Sequence, residues 1–352
     1  MPRRETAASD RRAKAGKTTI VDIAAATGVS VTTVSRILND KPDVAAETRE
    51  RVLRVMDEIG FAPQSAWRQI RSGRSRLIGV HVPQEFNPPN LHMIISAALG
   101  VEDAGYSINI ITRALSDADL LGIFRSREVD GIIFSEVLAD DRRPELLREH
   151  GYPFVMIGRR SDNTGFTYVD LDLDHAIGVA VEHLVGLGHR SIAFLTFDPV
   201  SNGQRYGFMM WAFEAFERAC LRHDLKPRIC LGGLTLDEMA IAAQEMFERH
   251  PDVTAVITPQ EVSTAGLLQV AQARHLRIPD DLSVVAMLSE MSGELATPPL
   301  TTVPFPAEEM GAAAARMLIG MLTQGHPAGE QILLRTELNV RGSTAAPRKV
   351  IS

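Results

Sequence analysis

Cysteine is nearly missing from this 352-residue chain, which holds only Cys220 and Cys230. A small module stapled by disulfides is therefore excluded, and no metal-ligand pattern accompanies the pair. Long hydrophobic runs are missing as well. The most apolar stretches, such as Ile192 to Thr196 and Val253 to Ile257, are of strand length, far short of the roughly 18 residues that span a bilayer. The N-terminal stretch is basic but has no apolar segment of the kind a secretory signal needs. A soluble, cytoplasmic protein with no membrane partner is expected. Catalytic signatures are also lacking. The ten histidines form no His-Glu-x-x-His pattern, and no Gly-x-Ser-x-Gly elbow occurs. Gly16-Lys17-Thr18 looks like the end of a phosphate-binding loop, but the loop's first glycine would fall on Arg11 and no strand precedes it. Neither an enzyme nor a cofactor or metal site is expected.

What the chain does have is uneven charge and enough length for two or three cored domains. Residues 1 to 76 hold 15 Lys and Arg against 9 Asp and Glu, a net of +6; the remainder holds 22 against 35, a net of −13. A basic head on an acidic body suggests a nucleic-acid-facing module joined to a domain with another task.

Local patterns organise both parts. Thr19-Ile-Val-Asp22 reads as a helix start, a Thr N-cap with an acid three residues on. That helix stops at Thr27-Gly28, where glycine permits a left-handed turn, and Ser30 caps a second helix over Val31 to Leu38. Val52, Val55, Met56 and Ile59 mark a third helix. Two helices around a glycine turn make a helix-turn-helix candidate. From Pro63 to Arg76 the chain is polar and basic, a linker with room for a short helix. Beyond it, strands are expected at 77–82, 107–112, 131–134, 154–157, 191–197, 228–231, 254–258 and 283–287. Helical stretches such as 94–105, 176–188, 208–223, 236–250 and 263–275 lie between most of them. Such alternation implies doubly wound parallel sheets, and about 270 residues suit two α/β lobes better than one. Ligands of such sheets sit at the carboxyl ends of the strands. His189, in Gly-His-Arg, is expected to cap the end of a helix.

The stretch TIVDIAAATGVSVTTVSRILNDKPDVAAETRERVLRVMDEIGFAP closely resembles the DNA-binding domain of the LacI/GalR family of bacterial transcriptional regulators. The likeness continues through Ile78-Gly-Val, the run His183 to Arg190, Ile278 to Val285, Pro298 to Val303, Glu309 to Gly311 and Arg341 to Thr344, covering residues 18 to 344. It implies a headpiece, a hinge and a two-lobed domain like periplasmic sugar-binding proteins, whose small effector alters operator affinity. The expected division is a basic disordered tail (1–17), a helix-turn-helix domain (18–62), a hinge helix and linker (63–76), an effector-binding domain (77–344) and a short tail (345–352). Its N-lobe takes about 77–173 and 304–333, its C-lobe about 174–303 and 334–344.

The resemblance lays the second helix in the major groove, with Val31, Thr32 and Arg36 toward the bases. Arg36 can donate two hydrogen bonds to a guanine edge, whereas Val31 offers only apolar contact. Thr19, Ser30, Thr33, Ser35 and Asn39 suit phosphates, which set register. In the hinge, relatives usually read Pro-Asn-x-x-Ala-Arg-x-Leu, and this chain reads Pro63-Gln-x-x-Trp67-Arg68-x-Ile70. Arg68 and Ile70 are expected at the minor groove, Ile70 as an apolar wedge. Trp67 packs between hinge helices, contacts DNA or covers the effector domain. One headpiece reads a half-site, so a homodimer on a palindromic double-stranded operator is expected, with no heptad segment for a tetramer.

Effector candidates are strand-end residues: Phe86 and Asn87, Glu136, Arg159, Asp170 and Asp172, Asn202 and Arg205, then Gln260 and Glu261. Arg205 falls where the family has its effector-contacting arginine, although Tyr-Gly-Phe follows it at a different spacing to glycine. Gln260-Glu261 replaces the family's Asn-Asp, and Ala286-Met-Leu-Ser289 stands where Gly-Phe-Asp-Asp is common. The default expectation is a repressor relieved by a sugar or sugar derivative. An activator or dual regulator answering to a sugar acid, sugar phosphate or nucleoside is the alternative, and a solute-binding protein a remote one.

Overall fold

The computed structural model describes residues 19–38, 41, 44–59, 74–82, 88–201 and 203–348. They fall into two compact units, one ending at Ser75 and one beginning at Arg76.

The described residues of the small unit form three helices, α1 (Ile20–Thr27), α2 (Val31–Leu38) and α3 (Ala46–Glu58). Ile23, Ala24, Val34, Ile37, Leu38, Val52 and Met56 form its core, with Ile20, Val29 and Val44 packed at the margin. So few apolar groups leave little to spare, and local bonds fix the ends. Arg49 on α3 donates to the carbonyls of Ile37 and Lys41, tying α3 to the end of α2.

In the large unit, strands β1 (Leu77–His81), β2 (Ser107–Ile111), β3 (Gly131–Phe134), β4 (Phe154–Ile157), β5 (Tyr168–Leu171) and β13 (Gln331–Leu334) form one sheet in the order β13-β5-β4-β3-β1-β2. The second sheet joins β6 (Ile192–Phe197), β9 (Arg228–Gly232), β10 (Ala255–Thr258), β11 (Ser283–Ala286) and β12 (Thr301–Thr302) in the order β12-β11-β10-β6-β9. Every pairing in both sheets is parallel. These are the two parallel sheets of the expected α/β architecture. Strands β3, β4, β10 and β11 are buried along their whole length, as parallel strands covered on both faces must be.

Helices α4 (Pro88–Glu102) and α12 (Ala307–Gln324) cover one face of the first sheet. They cross closely because both have glycines at the contact: a Cβ on Gly311 would meet Met93 O at 2.2 Å. Helices α5 (Asp117–Arg125) and α6 (Arg143–Glu149) cover the other face over a core of Phe124, Phe134, Phe154 and Phe166. Around the second sheet, α7 (Leu173–Gly186) and α8 (Gly207–Arg222) lie on one side, α9 (Leu236–Arg249) and α10 (Glu261–Ala273) on the other. Helix α11 (Glu290–Leu295) and a hairpin of β7 (Val200–Ser201) and β8 (Gln204–Arg205) complete the set.

The chain crosses from the first sheet to the second after β5, returns after β12 and crosses again after β13, where Asn339 bridges Thr302. His189 caps the end of α7 with its backbone, as expected, and ties its ring to that last return. Its buried ring bonds Thr254 Oγ1 at 2.8 Å through Nδ1, while Nε2 lies 2.9 Å from Ala345 O and 3.0 Å from Ser283 Oγ. The cap is supplied by its backbone, whose N–H donates to Leu184 O. No single helix among the described residues is long and apolar enough to cross a membrane.

Candidate functional site

The first candidate site is built on α1 and α2. Thr19 Oγ1 accepts the Asp22 N–H, and the Asp22 carboxylate accepts the Thr19 N–H at 2.7 Å, a reciprocal capping box. Bonds from the Thr19 side chain and backbone hold the Asp22 carboxyl below its ordinary value. Gly28 closes α1 at φ 69°, left-handed, and donates its N–H to Ala24 O. The axis turns by 109° into α2, a helix-turn-helix angle. Ser30 Oγ accepts the Thr33 N–H at 3.0 Å and shares a bond with Thr33 Oγ1. One face of α2 is pinned by buried Val34, Ile37 and Leu38, so Val31, Thr32 and Arg36 emerge on the exposed face, with Ser35 and Thr33 half-buried beside them. Asn39, Trp67, Arg68 and Ile70 lie outside the described residues.

The second candidate site lies where the carboxyl ends of the two sheets meet. Phe86, Asn87 and Asn202 lie outside the described residues. Asp170 sits within β5, almost fully buried; its Oδ2 accepts from Arg159 Nε at 2.8 Å and its Oδ1 from the Leu171 N–H. Burial pushes the Asp170 carboxyl up, with the Arg159 charge opposing. The Arg159 guanidinium lies 4.8 Å from the Trp211 ring centre on α8, a contact from the first-sheet lobe to the second. Asp172 caps α7 through the His175 N–H and accepts from Arg335 Nε at 2.8 Å. Burial alone would raise its pKa, but the Arg335 and His175 bonds outweigh it and lower it.

Arg205 also spans the lobes. Its Nη1 donates to Asp140 Oδ2 at 3.0 Å, and its carbonyl accepts the Ala139 N–H at 2.7 Å. Next to it, the Gly207 N–H donates to Val137 O at 3.0 Å, and Leu138 bridges Tyr206. Tyr-Gly-Phe thereby acquires a reason: a Cβ at Gly207 would stand 2.1 Å from Arg159 O. Gln260 caps α10 and engages Thr196 and Ser263 through Oε1. Beside it, burial pushes the Glu261 carboxyl up, and its Oε1 finds no partner among the described residues.

Sequence reasoning missed the support beneath this region. Arg143 clamps Asp141 through Nε and Nη2, reaches Glu136 O at 3.3 Å and His81 Nδ1 at 3.1 Å, and lies 4.5 Å from the Phe134 ring centre. Burial first, then the Arg143 charge, lowers the His81 pKa, so the ring is neutral and accepts from Arg143. This clamp shapes the 135–141 loop, where Glu136 adopts a left-handed φ of 52°. The loop bears Asp140, and no local sequence pattern marks it.

Comparison with known proteins matches residues 19–64 to the bacterial regulatory proteins of the lacI family and residues 181–344 to a periplasmic binding protein-like domain. The HTH-type transcriptional regulator MalR of Streptomyces coelicolor is 33% identical over 350 residues, spanning 94% of this chain and 97% of that protein. CelR of Thermobifida fusca is 29% identical, spanning 92% and 98%. Among solved structures, a CelR–cellobiose complex aligns with a TM-score of 0.69 at 27% identity, over 93% of this chain and 99% of that one. A lac repressor dimer bound to operator and the anti-inducer ONPF reaches 0.78 at 23% identity, over 94% and 100%, which speaks for the fold. With a helix-turn-helix unit and two parallel-sheet lobes in one chain, and relatives of this identity over nearly its full length, the protein belongs to the lacI family and is a transcriptional regulator.

Proposed function

We propose that the protein is a dimeric repressor that grips a palindromic operator and releases it when a neutral carbohydrate occupies the space between its lobes. The observation on which this rests is the pairing of cations with their own acids at the lobe junction. Arg143 holds Asp141, Arg159 holds Asp170 and Arg205 holds Asp140. Each positive charge is already compensated, so an anionic sugar would have to break an ion pair, whereas hydroxyl groups can share the donors and acceptors as they stand. The neighbouring CelR–cellobiose complex supports the same ligand class. The effector contacts are Phe86, Asn87, Arg159, Asp172, Asn202, Arg205, Gln260 and Glu261, with Asp170 orienting Arg159.

On DNA, Arg36 reads a guanine, Thr32 and Val31 read the neighbouring bases, and Thr19, Ser30, Thr33, Ser35, Asn39 and Arg68 hold phosphates while Ile70 wedges the minor groove. Two exposed apolar sets support a dimer: Leu91, Ile95 and Leu99 along α4, and Met291 with Leu295 on α11.

A thermal-shift screen against neutral saccharides, sugar acids and sugar phosphates tests the effector class, because a ligand of the native state raises its stability by mass action. Neutral sugars should give the hits, and Arg205→Ala should remove them. Calorimetric titration with and without operator should then show weaker sugar binding to the DNA complex, by the same factor as the sugar weakens DNA. Hits confined to sugar acids, or equal sugar affinity in both titrations, would overturn the reading. Arg36→Ala should cost about 1–3 kcal/mol of operator binding and relax one base position, read from competition against single-base variants.

A further inference from the structure

A cavity of about 250 Å³ opens at the opposite end of the first sheet from the lobe junction, at the amino-terminal ends of β4 and β5. Its apolar walls include the buried rings of Phe154 and Phe166, with Tyr152 and Met321 beside them. Its polar side chains are Arg148, Tyr152, Thr167 and His326, and the Thr167 hydroxyl already accepts the Gly329 N–H at 2.9 Å. None of its lining residues is acidic.

The other three are under-used. Among the described residues Arg148 donates once, from Nη1 to Thr164 O at 3.3 Å, and its guanidinium stacks 4.3 Å from the Phe166 ring centre. That leaves most of its five N–H donors for another partner. Stacking also fixes the plane of the guanidinium, which pre-orients those donors. Neither the Tyr152 hydroxyl nor the His326 ring is hydrogen-bonded to another described residue. Tyr152 is itself held in place, stacked 4.2 Å from the Phe124 ring centre.

We propose that this cavity is a second ligand site, independent of the lobe junction, for a small planar aromatic carboxylate. Aromatic walls favour a flat π-system, since Phe and Tyr rings gain from stacked and edge contacts beyond simple burial. A stacked guanidinium favours a carboxylate, which it can meet with two parallel hydrogen bonds; the nearby Asp162 carboxylate, whose pKa the Arg148 charge helps to lower, lies outside the cavity lining and makes no ion pair with it among the described residues. Size limits the ligand to one ring with few substituents: a cavity of about 150 Å³ already takes benzene, and this one falls short of the roughly 300 Å³ at which drug-sized pockets begin.

Isothermal titration of the full-length protein with 4-hydroxybenzoate tests this, with 4-hydroxybenzamide and cyclohexanecarboxylate as companions. The expected result is saturable binding of one 4-hydroxybenzoate per chain, weaker by about tenfold or more for the amide, since a charge-assisted bond is lost. The non-aromatic acid should also bind less tightly. Arg148→Met, which keeps the stem but not the charge, should weaken binding by about tenfold. Ala328→Phe, filling the exposed rim of the cavity, should abolish it, while Arg205→Ala should leave it unchanged. Saturation-transfer contacts from the probe's ring protons to the His326 ring give a readout that depends on no variant. No saturable binding, equal affinity for acid and amide, or binding lost in Arg205→Ala but retained in Arg148→Met would each overturn the proposal. The last outcome assigns the acid to the lobe junction, and the neutral-sugar reading would fail with it; the other two leave that reading untouched.

Discussion

At the scale of single residues, the histidines around the C-terminal return couple stability to pH. Burial lowers the pKa of His189, and proximity to His183 lowers it further; burial lowers that of His183 too. In the unfolded chain both titrate near 6.5. Between that value and the lower folded one, the unfolded chain binds more protons, so stability rises with pH there. The stability these residues contribute is thus present above about pH 6.5 and is lost as pH falls through and below it. Urea midpoints measured between pH 7.5 and 5 should fall with acid, and His189→Gln should show a shallower fall from a lower starting point. The same residue shows how a motif can be legible while its role is not. Gly-His-Arg is visible in the chain, but the partners of the ring stand 65, 94 and 156 positions away.

At the scale of elements, legibility tracked burial. Gly131–Phe134 and Phe154–Ile157 form with the expected bounds because they are buried on both faces and read as unbroken apolar runs. Tyr168–Leu171 carries no strand signal in the sequence, since Asp170 interrupts the run with a carboxylate that Arg159 and the Leu171 N–H make tolerable. Gln331–Leu334 is a half-exposed edge strand, and Thr301–Thr302 is too short to have a period. The start of α8 shows the reverse case, a local residue whose reason is remote. Gly207→Ala should force the helix away from Arg159 O and cost about 1–3 kcal/mol by overpacking. Chemical denaturation would measure that loss, and small-angle scattering of the effector domain should report lobes standing further apart.

At the scale of the whole molecule, the exposed apolar residues matter more than any one contact. Leu91, Ile95 and Leu99 stand 49%, 50% and 66% exposed at helical spacing on α4, whose opposite side is spent on α12. A stripe of this kind on a folded domain calls for a partner surface. Ile95→Asp should yield a monomer in analytical ultracentrifugation. Since one headpiece covers only a half-site, it should also lower operator affinity by about 10³-fold or more. A dimer that persists in this variant would move the interface elsewhere.

Sequence alone determined the helix-turn-helix unit, because caps, the Gly28 turn and the spacing of its core residues act within a few positions of one another. It also determined the two-lobe α/β body, whose buried strands alternate with helices plainly enough to read. Only the tertiary structure decided which charges face one another where the lobes meet. Arg205 finds Asp140, Arg143 finds Asp141 and His81, and Arg159 finds both Asp170 and Trp211. Arg143 and Asp141 are two positions apart and Arg159 and Asp170 eleven, but Arg143 and His81 are 62 apart and Arg205 and Asp140 65. Electrostatic compensation depends on distances of a few ångströms, which periodicity and composition do not encode, so which charges stand compensated at the lobe junction is written in the fold.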